Sequence, residues 1–546
     1  MSDLLSTGIS ALLSYRKALD TTGHNIANVN TPGYTRQRVD LVSRLGGPTG
    51  DGYVGSGVEA ATVRRIADAF VGARAVSDTS AYRRAEQFEA VAAQLDSWMS
   101  DAATGPGQPL NQFFDSLNAL AADPTSAAAR QTVLSDARGL TSRFRSLQGQ
   151  LDSVQVELNS RLRQSVQDIN AAAQSIATLN QRIAQAAAAA GGQPPNDLLD
   201  QRDALLQDLA GQIGVNTNTA DDGSINVFTG SGQALVLGAQ SQALGVADDA
   251  YGSGRLEVTS SGGVVTGQLG GGALGGLLDA QREVLDPALA QLGRLAVGLT
   301  QAFNAQHQQG VDALGQDGGL FFNSITGRAL AADGNSGNAQ IGVGFSDVGA
   351  LTGGDYLLRF DGANWQLSDA TTGASISMSG SGAPGDPLVA QGLSLTVNGV
   401  PAGQDRYLIR PTALAAGQMQ MAISDPANLA AAAAGSGADS SDNGNARALL
   451  GLESQGLLDS GRNSLQAAQE KLVTGIGNQA RQAGIARGAQ QSLLAQSVAS
   501  RDAASGVNLD EEASDLVRFQ QAYQAAAQVI AVADTVFQSL LAAVRR

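Results

Sequence analysis

The chain has 546 residues, a formal net charge of −16, 4% aromatic residues and no cysteine. That length allows several domains of roughly 100–200 residues each, and the lack of cysteine excludes disulfide staples, thiolate catalysis and thiolate metal sites. The acidic balance, with no dense basic run, argues against nucleic acid and anionic membrane surfaces as partners.

The first segment, MSDLLSTGIS, lacks a basic region followed by a continuous apolar run, so no cleavable secretory signal is expected. Leu5, Ile9, Leu12, Arg16, Leu19, Gly23 and Ile26 alternate by four and three, which predicts an amphipathic helix with a narrow heptad stripe. The helix should stop in NIANVNTPGYTRQ. Pro32 cannot continue it, and Gly33 accepts the positive φ of a type II turn. Residues 34–64 then look extended and glycine-rich, and 66–100 return to helix.

From about Thr125 to Ala190 one long helical pattern carries two seams. Phe144, Leu147, Leu151, Val154 and Leu158 form the first, and Leu162, Val166, Ile169, Ala173 and Ile176 the second. The step of four between Leu158 and Leu162 is a stutter that moves the stripe. GGQPPND breaks this helix, and Asn196 or Asp197 is placed to cap the next, which ends near Gly214.

Short strands are expected over 215–270, helix over 271–307, and strands again over 318–423 in DYLLRF, WQLSD, LSLTVNG and DRYLIRP. AAAAGSGADSSDNGN reads as a flexible linker, and helix resumes from Ser464 to about Ala504. In the last segment Leu516, Phe519, Tyr523, Ala526, Ile530, Ala533, Phe537, Leu540 and Val544 alternate by three and four without a slip. Asn508 and Glu511 have the spacing of a capping box. No stretch reaches ~18 uninterrupted apolar residues, so no membrane insertion is expected.

Candidate chemistry is scarce. His24 and His307 stand outside any paired-histidine motif, and His24 reads as a hydrogen-bonded helix-end residue. Lysine occurs only at Lys17 and Lys471, which leaves no phosphate-binding loop. LGGGALGG lacks the strand and acidic partner of a dinucleotide site and reads as a turn. Asp439, Ser441, Asn443 and Gly444 begin like a calcium loop, but Leu450 stands where the bidentate glutamate belongs. Carboxylates next to arginine, as in Arg83-Arg84-Ala85-Glu86, read as solvated helix faces. No catalytic, cofactor or metal residue is assigned.

The fold class expected is mainly α with β-rich insertions, an α+β multidomain chain. Residues 1–65 and 505–546 would form a terminal coiled-coil assembly domain. Residues 66–322 and 426–504 would form a helical rod with a small β subdomain at 215–270, and 323–425 a β-rich outer domain. The abundance of small residues favours such long, closely packed bundles.

NIANVNTPGYTRQ resembles the signature of bacterial flagellar rod, hook and hook-associated axial proteins, and the residues carrying it are Asn25, Asn28, Asn30, Thr31, Gly33, Tyr34, Arg36 and Gln37. SGVNLDEEASDLVRFQQAYQAAAQVIAVADTVFQSLL resembles the C-terminus of the hook-associated protein 1 family, and LLDAQREVLDPALAQLGRLAVGLTQAFNAQHQQGVD its central helix. Rod and hook proteins usually end on a different pattern, and residues 320–425 match nothing in detail. The resemblance implies a structural, non-enzymatic ring at the hook–filament junction, outside the cell, exported by the flagellar type III system without a cleaved signal. Its implied partners are other copies of itself, the hook protein, a second junction protein and an export chaperone, with no cofactor. The implied assembly interface is Leu5, Ile9, Leu12, Leu19, Ile26, Leu516, Phe519, Tyr523, Ile530, Phe537 and Leu540. The rival readings are a distal rod or hook protein and, from another class, a secreted adhesin or hydrolase on a helical stalk.

Overall fold

The computed structural model describes residues 2–49 and 52–544, with side chains omitted at 2–3, 47–49 and 52–54. Ten α-helices appear among the described residues: α1 (Ser2–Ala27), α2 (Ala69–Ser100), α3 (Gly107–Ala122), α4 (Ala127–Ala189), α5 (Asn196–Gln212), α6 (Gly272–Ala280), α7 (Asp286–His307), α8 (Gly444–Gly451), α9 (Leu465–Ser505) and α10 (Leu509–Val544). The mainly helical, mixed α+β class is as expected, while α3 and α8 were not anticipated.

The body of the molecule is built on α4. Both predicted seams are buried, and they enter different cores. The seam ending at Leu158 packs with α2, α3, α6, α7 and α9 in the larger core. The seam starting at Leu162 packs with α5 and the small sheets of the 215–270 region in the smaller one. A stutter rotates the apolar stripe, so one helix serves two cores lying in different directions. Ser126 starts it by accepting the Ala129 N–H in the manner of an N-cap.

α6 and α7 form one helical run through a π turn, Gln281–Leu285, directly before Pro287. Proline cannot donate into the helical ladder, and a π turn re-registers the ladder around it. The glycines of LGGGALGG open α6 rather than a nucleotide site. Gly272 has φ +59°, and a Cβ at Gly276 would lie 2.3 Å from the Arg84 carbonyl oxygen, so these positions let α6 approach α2.

Five phenylalanines, Phe113, Phe114, Phe303, Phe321 and Phe322, form one fully buried cluster with ring centroids 4.6–6.1 Å apart. Beside it Asn304 accepts the N–H groups of Phe321 and Phe322 and donates to the Phe322 carbonyl. His307 bridges Gly319 and Ala430, with Nδ1 2.8 Å from the Gly319 carbonyl and Nε2 accepting the Ala430 N–H at 3.0 Å. Burial lowers its pKa, so this histidine is neutral and structural.

Between α7 and α8 the chain forms two larger antiparallel sheets and a short two-stranded one, Gly310–Val311 with Ala432–Ala433. Five strands run in the order Arg328–Ala331, Arg406–Arg410, Tyr356–Phe360, Trp365–Asp369, Ser375–Ile376, and three in the order Gln340–Phe345, Leu393–Asn398, Leu388–Ala390. Their inward side chains are continuous with the larger helical core. An ion cluster ties this region to its neighbours. Arg255, beside the small sheets, reaches Asp286 at 2.7 Å and Asp355 at 3.5 Å, and Arg410 reaches Asp355 at 3.1 Å.

Three local expectations are overturned. The 431–445 segment is no flexible linker: Ala430, Ala431 and Ala432 are buried, Ala432–Ala433 pairs with Gly310–Val311, and Asn443 and Asn445 donate to the carbonyls of Ala121 and Ala430. Its alanines are small enough to enter the core, which outweighs the loop-like composition. Neither Asn196 nor Asp197 caps α5. Pro195 holds the cap position, and both side chains reach instead toward the strand Gln37–Ser43. The capping box at α10 is half made. Asn508 accepts the Asp510 N–H, but Glu511 turns away to Arg36, because a charged partner holds it better than a backbone N–H.

Candidate assembly interface

α1 and α10 pack antiparallel. Gly8 faces Ile530, Tyr15 stacks toward Phe519 at 6.5 Å between centroids, and Asn25 meets Glu512. A Cβ at Gly8 would lie 2.7 Å from Ile530, so this glycine sets the close approach of the two helices. Continued along the helices, this register leaves Phe537–Val544 beyond the first described turn of α1.

The face that α1 buries is small and polar: Gly8, Ser10, Ser14, Ala18, Thr21, Thr22 and Asn25. Part of it rests on the two-stranded sheet Gln37–Ser43 with Val58–Arg65, where Ser14 donates to the Val58 carbonyl. The heptad stripe lies beside this face. Leu12, Leu19 and Ile26 are half-buried, whereas Leu5 and Ile9 remain 41% and 44% exposed. On α10, Leu516, Phe519, Tyr523 and Ile530 are half-buried, and Phe537 and Leu540 are 52% and 46% exposed. Leu13, Val532 and Val536 widen the uncovered apolar surface. The helical stretch Leu465–Val544 holds an 18-residue window with a mean hydropathy of 1.6, of which 6% is buried. That window is long and apolar enough to cross a membrane by length and composition alone, although no uninterrupted apolar run of that length occurs in it. The helix is nonetheless amphipathic, with Gln528, Asp534 and Gln538 exposed on it.

The signature NIANVNTPGYTRQ folds around Asn25, which is 1% exposed and uses its whole amide. Nδ2 donates to the Gln37 carbonyl at 2.8 Å and to Glu512 at 3.0 Å, while Oδ1 accepts the Gln37 N–H at 2.9 Å and the Tyr34 hydroxyl at 2.7 Å. The chain can return to Asn25 because the turn works as predicted. Gly33 has φ +80°, and the Tyr34 N–H donates to the Thr31 carbonyl. Asn28 and Thr31 close the turn from outside, with Asn28 donating to the His24 carbonyl and Thr31 to Asn28 Oδ1. Asn30 is exposed.

Arg36 clamps α10. Its Nε lies 2.6 Å from Glu512, Nη1 reaches Glu511, and Nη2 stands 3.7 Å from Asp515. Burial disfavours this guanidinium, but hydrogen bonds to Glu512 and Glu511 outweigh it and hold the charge more firmly. Burial first, and then the carboxylates of Asp197, Asp200 and Glu512, push the Tyr34 hydroxyl far above its ordinary pKa, so it stays a donor.

A second set of polar contacts reaches α5. The Thr35 N–H donates to Asp200 at 3.0 Å, Arg65 reaches Asp200 at 3.0 Å and also Asp203, Gln37 donates to Asp197 at 2.8 Å, and Asn196 donates to the Val63 carbonyl at 2.8 Å. Sequence reasoning found the motif but missed Glu512, Asp200, Asp197 and Arg65. The acidic pair Glu511-Glu512, of which Glu511 was read as part of a capping box, was the available signal that Arg36 needed a partner. Among the described residues, no group of three or more histidine, aspartate or glutamate side chains could hold a metal ion.

Residues 92–322 match the helical domain of flagellar hook-associated protein FlgK, and 330–411 the D2-like domain of flagellar hook-associated protein 1. Residues 5–35 match the flagella basal body rod protein family, and 500–543 the C-terminal family of the basal body rod FlgEFG proteins. Flagellar hook-associated protein 1 of Escherichia coli K12 is 31% identical over 548 residues, covering 99% of this chain and 100% of its own length. The Bacillus subtilis protein of the same name is 27% identical over 415 residues, covering 68% of this chain and 79% of its own. The solved flagellar hook junction protein FlgK of Burkholderia pseudomallei has a TM-score of 0.71 at 25% identity, covering 78% of this chain and 99% of that one. The full-length relative at 31% identity, the helical and D2-like domains and the shared fold agree: the chain belongs to the flagellar hook-associated protein 1 family, structural components of the flagellum at the junction of hook and filament.

Proposed function

We propose that copies of this chain form a ring in the flagellar axis through the apolar surface left open on α1 and α10, and that the chain has no catalytic activity. The observation that carries this is the pairing of two heptad helices through a small polar face, with Leu5, Ile9, Phe537 and Leu540 left exposed. Fully burying a side chain of this size contributes ~1.5–3 kcal/mol. Half a dozen such residues covered by neighbours would stabilise assembly by on the order of 10 kcal/mol before ordering costs.

The hook protein on one side and a second junction protein on the other are the proposed axial neighbours. Export through the flagellar type III channel, with a chaperone and without a cleaved signal, fits terminal helices that draw their stability from partners rather than from propensity. The division into a terminal domain, a helical rod and a β-rich outer domain follows the same logic, with the polymerising surface confined to the termini.

The test is a deletion strain complemented by the wild-type chain or by Ile530→Asp with Phe537→Asp. The wild type should restore filaments, and the double variant should leave flagellin unpolymerised in the medium while the purified body melts normally. Filament growth at wild-type level would remove this surface from the assembly. The apolar window on α10 favours a second reading, contact with a membrane, and flotation of the purified chain with lipid vesicles would support that instead.

A further inference from the structure

We propose that the first two turns of α5 form a polar hinge that sets the angle between the terminal helix pair and the body. This rests on the junction reading only for its consequence, since the geometry stands alone. Among the described residues, neither apolar core includes a side chain from residues 2–68 or 506–544. The terminal unit, made of α1, α10 and the sheet Gln37–Ser43 with Val58–Arg65, therefore docks on α5 without a shared core. It docks through the Thr35 N–H and Arg65 on Asp200, Arg65 on Asp203, Gln37 and His24 on Asp197, and Asn196 on Val63 and Gln37. Beside them Gln193 donates to the Ala61 carbonyl and the Arg36 N–H to the Ser505 carbonyl. The backbone crosses the joint twice more, at 66–68 and 506–508, both outside helix and strand.

Within the terminal unit the ties are of a different kind. Arg36 holds Glu511 and Glu512, Asn25 joins α1 to the sheet and α10, and α1 and α10 share a long contact. The unit is thus internally bound, while its seat on α5 depends on a few directional bonds, three of which run through Arg65 or Asp200. Apolar packing resists sliding over a whole surface, whereas a polar seat loosens as its directional bonds are taken away. Removing Arg65 and Asp200 together leaves no unpaired buried charge, so the joint opens without a strain that would unfold the body. Freed in this way, the terminal pair swings as one lever, and the angle it presents to neighbouring subunits is no longer fixed.

The absence of cysteine makes the test direct. Spin labels at Gln181→Cys and Gln521→Cys report the distance across the joint, and labels at Lys17→Cys and Gln528→Cys report the distance within the helix pair. All four positions are exposed. By pulsed electron resonance on the full chain, the otherwise unchanged protein should give one narrow distance for each pair. Arg65→Ala with Asp200→Ala should lose the single narrow distance across the joint and keep the one within the helix pair. An unchanged cross-joint distance would overturn the proposal, as would equal broadening of both pairs, which would mean the helix pair itself had come apart. Asp200→Asn keeps an acceptor for the Thr35 N–H and should broaden the cross-joint distance less than the double variant. Filament rescue by the wild-type chain is scored separately, so failure of the junction reading cannot be mistaken for failure of the hinge.

Discussion

The helical body and the terminal unit are held by different forces. The body stacks two apolar cores along α4, with a phenylalanine cluster whose members are each at most 1% exposed. The terminal unit buries serine, threonine, asparagine and alanine, and its central node is a fully bonded amide between charged neighbours. The body thus rests on buried apolar packing, while the terminal unit leaves apolar side chains such as Leu5, Ile9, Phe537 and Leu540 facing outward. A structural subunit needs both, since a surface saved for a neighbour cannot also stabilise the monomer.

The largest break in this contrast should come from Phe303→Ala. It empties the centre of the aromatic cluster and should destabilise the body by ~3–5 kcal/mol, seen as a lower denaturant midpoint. An equal loss from Phe537→Ala, which is already 52% exposed, would erase the distinction between the regions.

Asn25→Ala should cost less and act elsewhere. It leaves the Gln37 N–H, the Tyr34 hydroxyl and one hydrogen bond of Glu512 unmet, at ~1–3 kcal/mol for a buried polar group without its partner. Hydrogen exchange should rise over α1, α10 and residues 34–43 while the main melting transition of the body stays put. A matching drop in the body's transition would mean that the two regions unfold as one.

Acid sharpens the comparison from the side of the body. The His307 pKa is lowered by burial, so between its folded value and the unfolded value of ~6.5 only the unfolded chain binds the proton. Stability from neutral His307 is thus complete above pH ~6.5 and declines as pH falls below it. Denaturant midpoints compared at pH 7.5 and 5.5 should fall more for the wild type than for His307→Gln. Equal slopes would show that His307 does not titrate on unfolding.

The smallest effect on stability is expected at the turn. Pro32→Ala with Gly33→Ala places an L side chain at φ +80°, which costs ~1–2 kcal/mol. A Cβ at Gly33 would meet Ala204 at an ordinary 3.6 Å, so the body should melt as before. Motility in a deletion strain should nonetheless be lost, because Tyr34 and Gln37 would no longer converge on Asn25, nor Arg36 on Glu511 and Glu512. Full motility would mean that the turn tolerates extension of α1.

Periodicity is a local property, and most of what depends on it could be read from the sequence, although the stripe of α3 was missed. The two seams of α4, the change of stripe between Leu158 and Leu162, the turn at Pro32-Gly33 and the strands at DYLLRF and DRYLIRP are all of this kind. What no local pattern carries is the partner of a polar side chain. Asn25 and Glu512 are 487 positions apart, and Thr35 and Asp200 are 165 apart. Asn196, Asp197 and Glu511 each had a plausible local role as caps, and each was drawn into the distant network instead. Glu511 was drawn by a charged partner, which binds more strongly than a helix end, and Asn196 and Asp197 by Gln37 and the Val63 carbonyl. The choice of face on α1 is equally tertiary. A heptad stripe states that something will cover it, but the fit of Gly8 to Ile530 and of Ser14 to Val58 decided that α10 and the sheet take the small face instead. The same fit leaves Leu5 and Ile9 to the solvent side of the subunit.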